Sequence, residues 1–168
     1  MNIIGISGKK KSGKDTVATL LAARIGKSAV RYHFADALKQ EVALMYGVTV
    51  DYLESHKDNF RLILQGHGTD YRRQLYGHDY WIRKMDAAAE QFQRVGKQVL
   101  IIPDVRFLNE AEWVRKQGGS VIRINRWYDD TTDKHPSEVE LDNYKFDHVI
   151  ENNGTLKELL TKVLEIKV

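Results

Sequence analysis

The chain has 168 residues, 42% of them hydrophobic, no cysteine and a formal net charge of +3. At that length roughly 70% of the unfolded surface leaves water on folding, enough for one self-sufficient domain, while the lack of thiols excludes a disulfide framework, a cysteine-ligated metal site and thiol catalysis. No apolar run approaches the ~20 residues that cross a bilayer, and "MNIIGIS" lacks the length and leading charge of a secretory signal, so a soluble cytoplasmic protein is expected, and the mild basic excess suits a small anionic ligand better than a stable nucleic-acid partner.

In chain order, "NIIGIS" (2–7) reads as a buried strand, "DTVATLLAARIG" (15–26) as a helix stopped by Gly26, and "AVRYHF" (29–34) as a second strand. "ADALKQEVALMYG" (35–47) is helical in period, and from Val48 to Gly96 the apolar spacing stays helical, broken by glycines. "KQVLIIPDV" (97–105) predicts a third strand, "FLNEAEWVRKQGG" (107–119) a helix, "SVIRIN" (120–125) a fourth strand and "DHVIEN" a fifth. "TLKELLTKVLEI" closes the sequence as a helix started by Thr155. This order predicts an α/β fold: five strands in a parallel sheet, helices on both faces, and a helical insertion between the second and third strands. Only two prolines and no repetitive stretch argue against linkers or repeats.

"GKKKSGKDT" (8–16) follows the first strand and opens the first helix. Gly8, Gly13 and Lys14 satisfy the pattern G-x-x-x-x-G-K of a phosphate-binding loop, in which backbone N–H groups and a helix N-terminus point at the anion and the lysine reaches the β and γ oxygens. Lys11 and Ser12 complete the turn. The next position holds Asp15 where Ser or Thr is usual, with Thr16 one place late. A carboxylate is also an oxygen donor for Mg2+, so Asp15 either orients the metal's hydration shell, leaving Thr16 for the α-phosphate, or only favours the helix N-terminus electrostatically. "LIIPDVR" (100–106) is the second signal. Asp104 ends a strand where open α/β sheets place their sites, as a second Mg2+ ligand or an acceptor contact, and Arg106 is suited to bridging phosphates; the bland alternative is a turn and a surface pair.

The series "GKKKSGKDT", "FADALK", "RLILQGHGTDYRR" with "DYWIRK", "IIPDVRFLNEAE", "VIRINR", "HPSE" and "VIENNGTLKELL" resembles, in this order and over most of the chain, the bacteriophage-type deoxynucleoside monophosphate kinases. The "SGKDT" loop is also similar to that of animal-type phosphomevalonate kinases. The resemblance implies a P-loop NTPase three-layer sandwich over residues 1–168, with an acceptor-binding helical insertion over about 35–96 and a lid over about 125–144. It implies Mg2+ as cofactor, ATP and a deoxynucleoside monophosphate as substrates, and a homodimer as a possibility; were the source viral, the location would be an infected bacterial host cell.

On the same grounds Lys39, Arg73 and Arg61 are candidate ligands of the acceptor phosphate, and Gln65 and Thr69 candidate readers of the base or ribose. Asp36 either contacts the acceptor or caps the helix at "ADALK", and Tyr80 and Trp81 read as core rather than stacking platforms. In the lid, Arg126 is a candidate to stack on adenine or approach the phosphates, and His135 and Glu138 to join the closed site, Glu138 as an acceptor contact. Two rival readings stand: the same chemistry on another phosphorylated small molecule, such as phosphomevalonate or a pantetheine compound, and a non-catalytic nucleotide or nucleic-acid binding module.

Overall fold

Apolar runs without polar alternation belong to strands covered on both faces, and the computed structural model, which describes residues 1–127 and 135–166, bears this out. Strands β1 (Asn2–Ser7), β2 (Ala29–Arg31), β3 (Val99–Ile102), β4 (Ser120–Asn125) and β5 (His148–Glu151) form one sheet in the order β2-β3-β1-β4-β5. All four neighbouring pairs are parallel, with Ile4 opposite Ile101 and Ile6 opposite Ile122. Every residue of β3 and all of β1 after Asn2 are buried.

The chain divides into two compact units, Met1–Tyr32 with Ala89–Val168, and His33–Ala88. The first holds the sheet. On one face, Ile4, Ile6, Ile122 and Ile124 pack with Val17 and Leu21 of helix α1 (Lys14–Ile25) and with Leu159 and Val163 of the last helix, Leu156–Glu165. On the other, Gly5 lies under Val105 and under Val114 of the helix Leu108–Lys116, which leaves no room for a side chain there. Helices therefore cover both faces, as the element order predicts.

The second unit is helical throughout its regular elements: α2 (Phe34–Tyr46), α3 (Val50–Ser55), α4 (Lys57–Gln65), a π-helical segment Gly66–Tyr71, α5 (Arg72–Tyr76) and the start of α6 (Tyr80–Arg94). Its own small core joins Val42, Ala43 and Leu53 to Leu38, Phe60 and Ile63. The helices after it are α7 (Leu108–Lys116), α8 (Pro136–Val139) and α9 (Leu156–Glu165).

Of the boundaries that differ from the sequence reading, two have a plain physical cause. The second strand ends at Arg31 rather than Phe34, because a capping box starts α2 there: the His33 N–H donates to the Asp36 carboxylate at 2.8 Å. The third strand ends at Ile102, before Pro103, which has no N–H to continue the ladder. At the far end Thr155 starts α9 as expected, its hydroxyl accepting from the Glu158 N–H while the Glu158 carboxylate accepts from the Thr155 N–H.

Candidate active site

Where β1 ends at Ser7, the chain turns through residues 8–13 and enters α1 at Lys14. Three of these residues have positive φ: Gly8 at 152°, Lys11 at 64° and Gly13 at 104°. A Cβ on Gly8 would run into the Ile124 carbonyl and the Ser12 hydroxyl, and one on Gly13 into the Asn152 amide, so both positions require glycine on space as well as on backbone angle. Lys11 bears the left-handed conformation with a side chain, the kind of local strain that clusters at ligand-binding turns.

Lys14 folds back across the turn. Its ammonium donates to the carbonyls of Gly8 at 2.8 Å and Lys9 at 2.7 Å, and the side chain is almost wholly enclosed. Burial, with the Arg106 guanidinium next, lowers its pKa from 10.5 to about 8, against the opposing pull of Glu138, Asp15 and Asp104. Ser12 is buried, and its hydroxyl is without a hydrogen-bond partner among the described residues. The Ser12 carbonyl accepts from the Asn152 side chain at 2.8 Å. The turn has the makings of an anion cradle: a helix N-terminus, turn N–H groups, a buried hydroxyl and a buried cation whose hydrogen bonds, among the described residues, go to two loop carbonyls.

Around it stand the other residues singled out from the sequence. Asp15 lies in the first turn of α1 and Asp104 just past the end of β3, both close enough to act on the Lys14 charge. Arg106 pairs with Glu138, whose carboxylate also accepts from the Lys10 N–H at 3.2 Å. Glu138 therefore sits on the phosphate loop, within the sheet-bearing unit. Arg126 is exposed, with a long contact of 3.5 Å to the Lys11 carbonyl, and His135 caps α8 by accepting from the Ser137 N–H. The lid stretch between them, 128–134, lies outside the described residues.

In the helical unit, Asp36 is committed to the cap of α2; burial opposes its ionisation, but the hydrogen bonds from His33 hold the carboxyl below the usual range. Lys39 pairs with Glu54 and lies 3.7 Å from Asp36. Arg73 is buried on α5, whereas Arg61 on α4 is exposed. The side chains of Gln65 and Thr69 lie outside the described part of the molecule. Trp81 is core, its indole N–H donating to the Gly68 carbonyl at 2.7 Å.

Sequence reasoning missed two clusters. Glu41 accepts from the Tyr80 hydroxyl at 2.6 Å, lies 2.9 Å from His67 Nε2 and pairs with Arg72. Burial opposes its charge, yet these contacts keep the Glu41 carboxyl below its ordinary range, and burial together with Glu41 pushes the Tyr80 phenol up to about 12. The second cluster joins Lys9, Asp142 and Arg123 beside the loop. Neither carries a short-range signal: the partners are 26 residues apart in Glu41–His67 and 133 apart in Lys9–Asp142.

Comparison with known proteins adds an independent line. The family model described as deoxynucleotide monophosphate kinase matches residues 50–163, a stretch that omits the phosphate loop and takes in "GTDYRR", "PDVR" and "HPSE". A protein of Acanthamoeba polyphaga mimivirus, provisionally named a deoxynucleotide monophosphate kinase, is 33% identical over 192 aligned residues, covering 98% of this chain and 95% of its own. The deoxynucleotide monophosphate kinase of Enterobacteria phage T4 is 28% identical over 82% of this chain, which spans 59% of the phage protein. A Drosophila melanogaster phosphomevalonate kinase is 27% identical over 98% of this chain and 95% of its own. Among solved structures, a Thermus thermophilus protein covers 98% of the chain at a TM-score of 0.50 and 18% identity, a likeness of fold. With the family pattern matched well beyond the loop that many phosphate binders share, and a relative aligned nearly end to end at a third identity, the chain belongs to the deoxynucleotide monophosphate kinase family.

Proposed function

We propose that this family member transfers the γ-phosphoryl of Mg·ATP to a deoxynucleoside monophosphate, giving a deoxynucleoside diphosphate and ADP. The observation that carries the reading is the turn at residues 8–14, with its positive-φ glycines and the buried Lys14 hydrogen-bonded to the loop carbonyls of Gly8 and Lys9. ATP phosphates offer that ammonium a stronger partner, so Lys14 exchanges the Gly8 and Lys9 carbonyls for phosphate oxygens and stays with the γ group as it moves.

The acceptor phosphate is already ionised near neutral pH, so no strong general base is required. Its oxygen forms the new bond to Pγ as the bond to the ADP oxygen breaks, and the chain's task is positioning and charge. Arg106 meets the transferring group; Lys39, Arg73 and Arg61 hold the acceptor phosphate, Gln65 and Thr69 read its base or sugar, and Arg126 attends the adenine nucleotide. Mg2+ takes one or two carboxylates with substrate oxygens and water, and Asp15 and Asp104, both acting on the Lys14 charge, are suited to that donor set. When bound, the metal would neutralise charge on the β and γ oxygens. The acceptor-binding insertion is assigned to about 35–96 and the lid to about 125–144. No described helix is long and apolar enough to cross a membrane, and the enzyme is placed with the free nucleotide pool of the cell, that of an infected host if the chain is viral.

Likeness to phosphomevalonate kinase over nearly the whole chain supports a second reading, in which the acceptor is a phosphorylated isoprenoid precursor. Incubating the protein with Mg·ATP and, separately, the four common deoxynucleoside monophosphates, their ribose counterparts and phosphomevalonate, then resolving the products by chromatography, decides between them. Deoxynucleoside diphosphates, abolished by Lys14→Ala in a protein of unchanged circular dichroism, are the expected result. Turnover of phosphomevalonate alone would transfer the assignment, and ADP release with no acceptor dependence would end it.

A further inference from the structure

Lys14 is one of several groups that hold the phosphate loop, beside the Asn152 amide on the Ser12 carbonyl and the Glu138 carboxylate on the Lys10 N–H. The side chain of Lys9 leaves the loop in another direction and is buried, its ammonium donating to both Asp142 oxygens at 2.6 and 2.8 Å and to the Glu138 carbonyl. Its backbone carbonyl receives the Ser12 N–H at 3.2 Å and Lys14 Nζ at 2.7 Å. Lys9 is therefore where the turn, the clasp and the following segment meet.

Asp142 is a fixed post. The turns Asp142 N–H to Val139 and Tyr144 N–H to Leu141 lock its segment, and Leu141 is buried. Arg123 of β4 donates to Asp142 at 3.2 Å and contacts the Ser7 hydroxyl, at the end of β1, at 3.4 Å. Through Arg123, β4 and the end of β1 are thus tied to the same carboxylate.

On the proposed kinase reading, Lys14 withdraws both of its bonds from the loop carbonyls when it engages phosphate. The turn then loses its internal clasp at the moment its N–H groups must stay aligned. The Lys9–Asp142 pair persists through that exchange, because Lys9 gives up only a contact at its backbone carbonyl while its side-chain ammonium stays on Asp142. We infer that Asp142 is a positioning residue for ATP: acting through the buried Lys9 ammonium, it holds the phosphate loop in its anion-binding shape after Lys14 lets go.

The test is a double-mutant cycle on steady-state kinetics and on ADP binding by calorimetry, with melting temperatures recorded for each variant. Asp142→Asn and Lys9→Met should each raise the KM for Mg·ATP and the Kd for ADP by roughly 10-fold, since the first leaves the buried Lys9 ammonium without its counter-charge and the second removes the ammonium that ties the loop to Asp142, whose own carboxylate is partly exposed, while the KM for the deoxynucleoside monophosphate stays within about twofold. The double variant should be no worse than Lys9→Met alone. That comparison also serves if Asp142→Asn folds poorly, because Lys9→Met removes the buried charge that the substitution would strand. Asp142→Glu should recover most of the affinity. An unchanged ADP affinity in Asp142→Asn, multiplied losses in the double variant, or a rise in acceptor KM equal to that for ATP would overturn the inference. If the wild type binds ADP but phosphorylates no nucleotide, with Asp142→Asn weakened as stated, the kinase reading falls and the positioning role stands.

Discussion

Titrating the buried Lys14 gives the sharpest check on the phosphate loop. Enclosure lowers its pKa from 10.5 to about 8, so between those values the unfolded chain binds more protons than the folded one. The free protein therefore gains stability as pH rises through that window, and the cost of enclosing the charged form, on the order of 3 kcal/mol, is fully present below about pH 8. Nucleotide binding runs the other way. Polyphosphate needs the ammonium, so kcat/KM for Mg·ATP, which reports the free enzyme, should fall tenfold per unit above about pH 8 and reach about one-tenth of its plateau at pH 9. A lysine titrating at 10.5 would have lost about 3% there. The assay is acceptor-dependent ADP release at limiting Mg·ATP across about pH 6.5–10, with Lys14→Arg as control, since a guanidinium stays charged throughout. A wild-type profile level to about pH 9.5, or one that Lys14→Arg shares, would refute the reasoning.

Four other substitutions probe the scaffold. Asn152→Ala removes the amide that donates to the Ser12 carbonyl at 2.8 Å, and should cost about 1–2 kcal/mol in urea denaturation, with weaker ADP binding. Gly13→Ala meets both a φ of 104° and the Asn152 side chain, so ADP affinity should fall at least about tenfold, whereas Gly47→Ala, also at positive φ but facing open space, should cost only about 1 kcal/mol of stability and leave binding intact. Tyr80→Phe deletes the hydroxyl that donates to Glu41 and should destabilise by about 1.5–3 kcal/mol. The same variant should leave the ultraviolet titration of the folded protein unchanged below about pH 11, because the phenol it removes titrates near 12.

What the sequence by itself determined is local. Strand runs such as "VLII" and "SVIRIN", the Thr155 cap and the glycine-rich turn after β1 are visible because backbone conformation there depends on neighbours within a few positions. The element order then made a parallel sheet with crossover helices the consistent topology. Asp104 and Arg106 were legible for the same reason, as the residues that follow an apolar strand. Only the tertiary structure decided what those residues face. It set Glu138 on Lys10 and Arg106, Asn152 under the loop, and Asp142 on Lys9, across separations of 128, 32, 140 and 133 residues. Nothing in "KK" or "LDN" distinguishes a buried ammonium from a solvated one, because burial of a charge is settled by whichever distant carboxylate the fold brings to it.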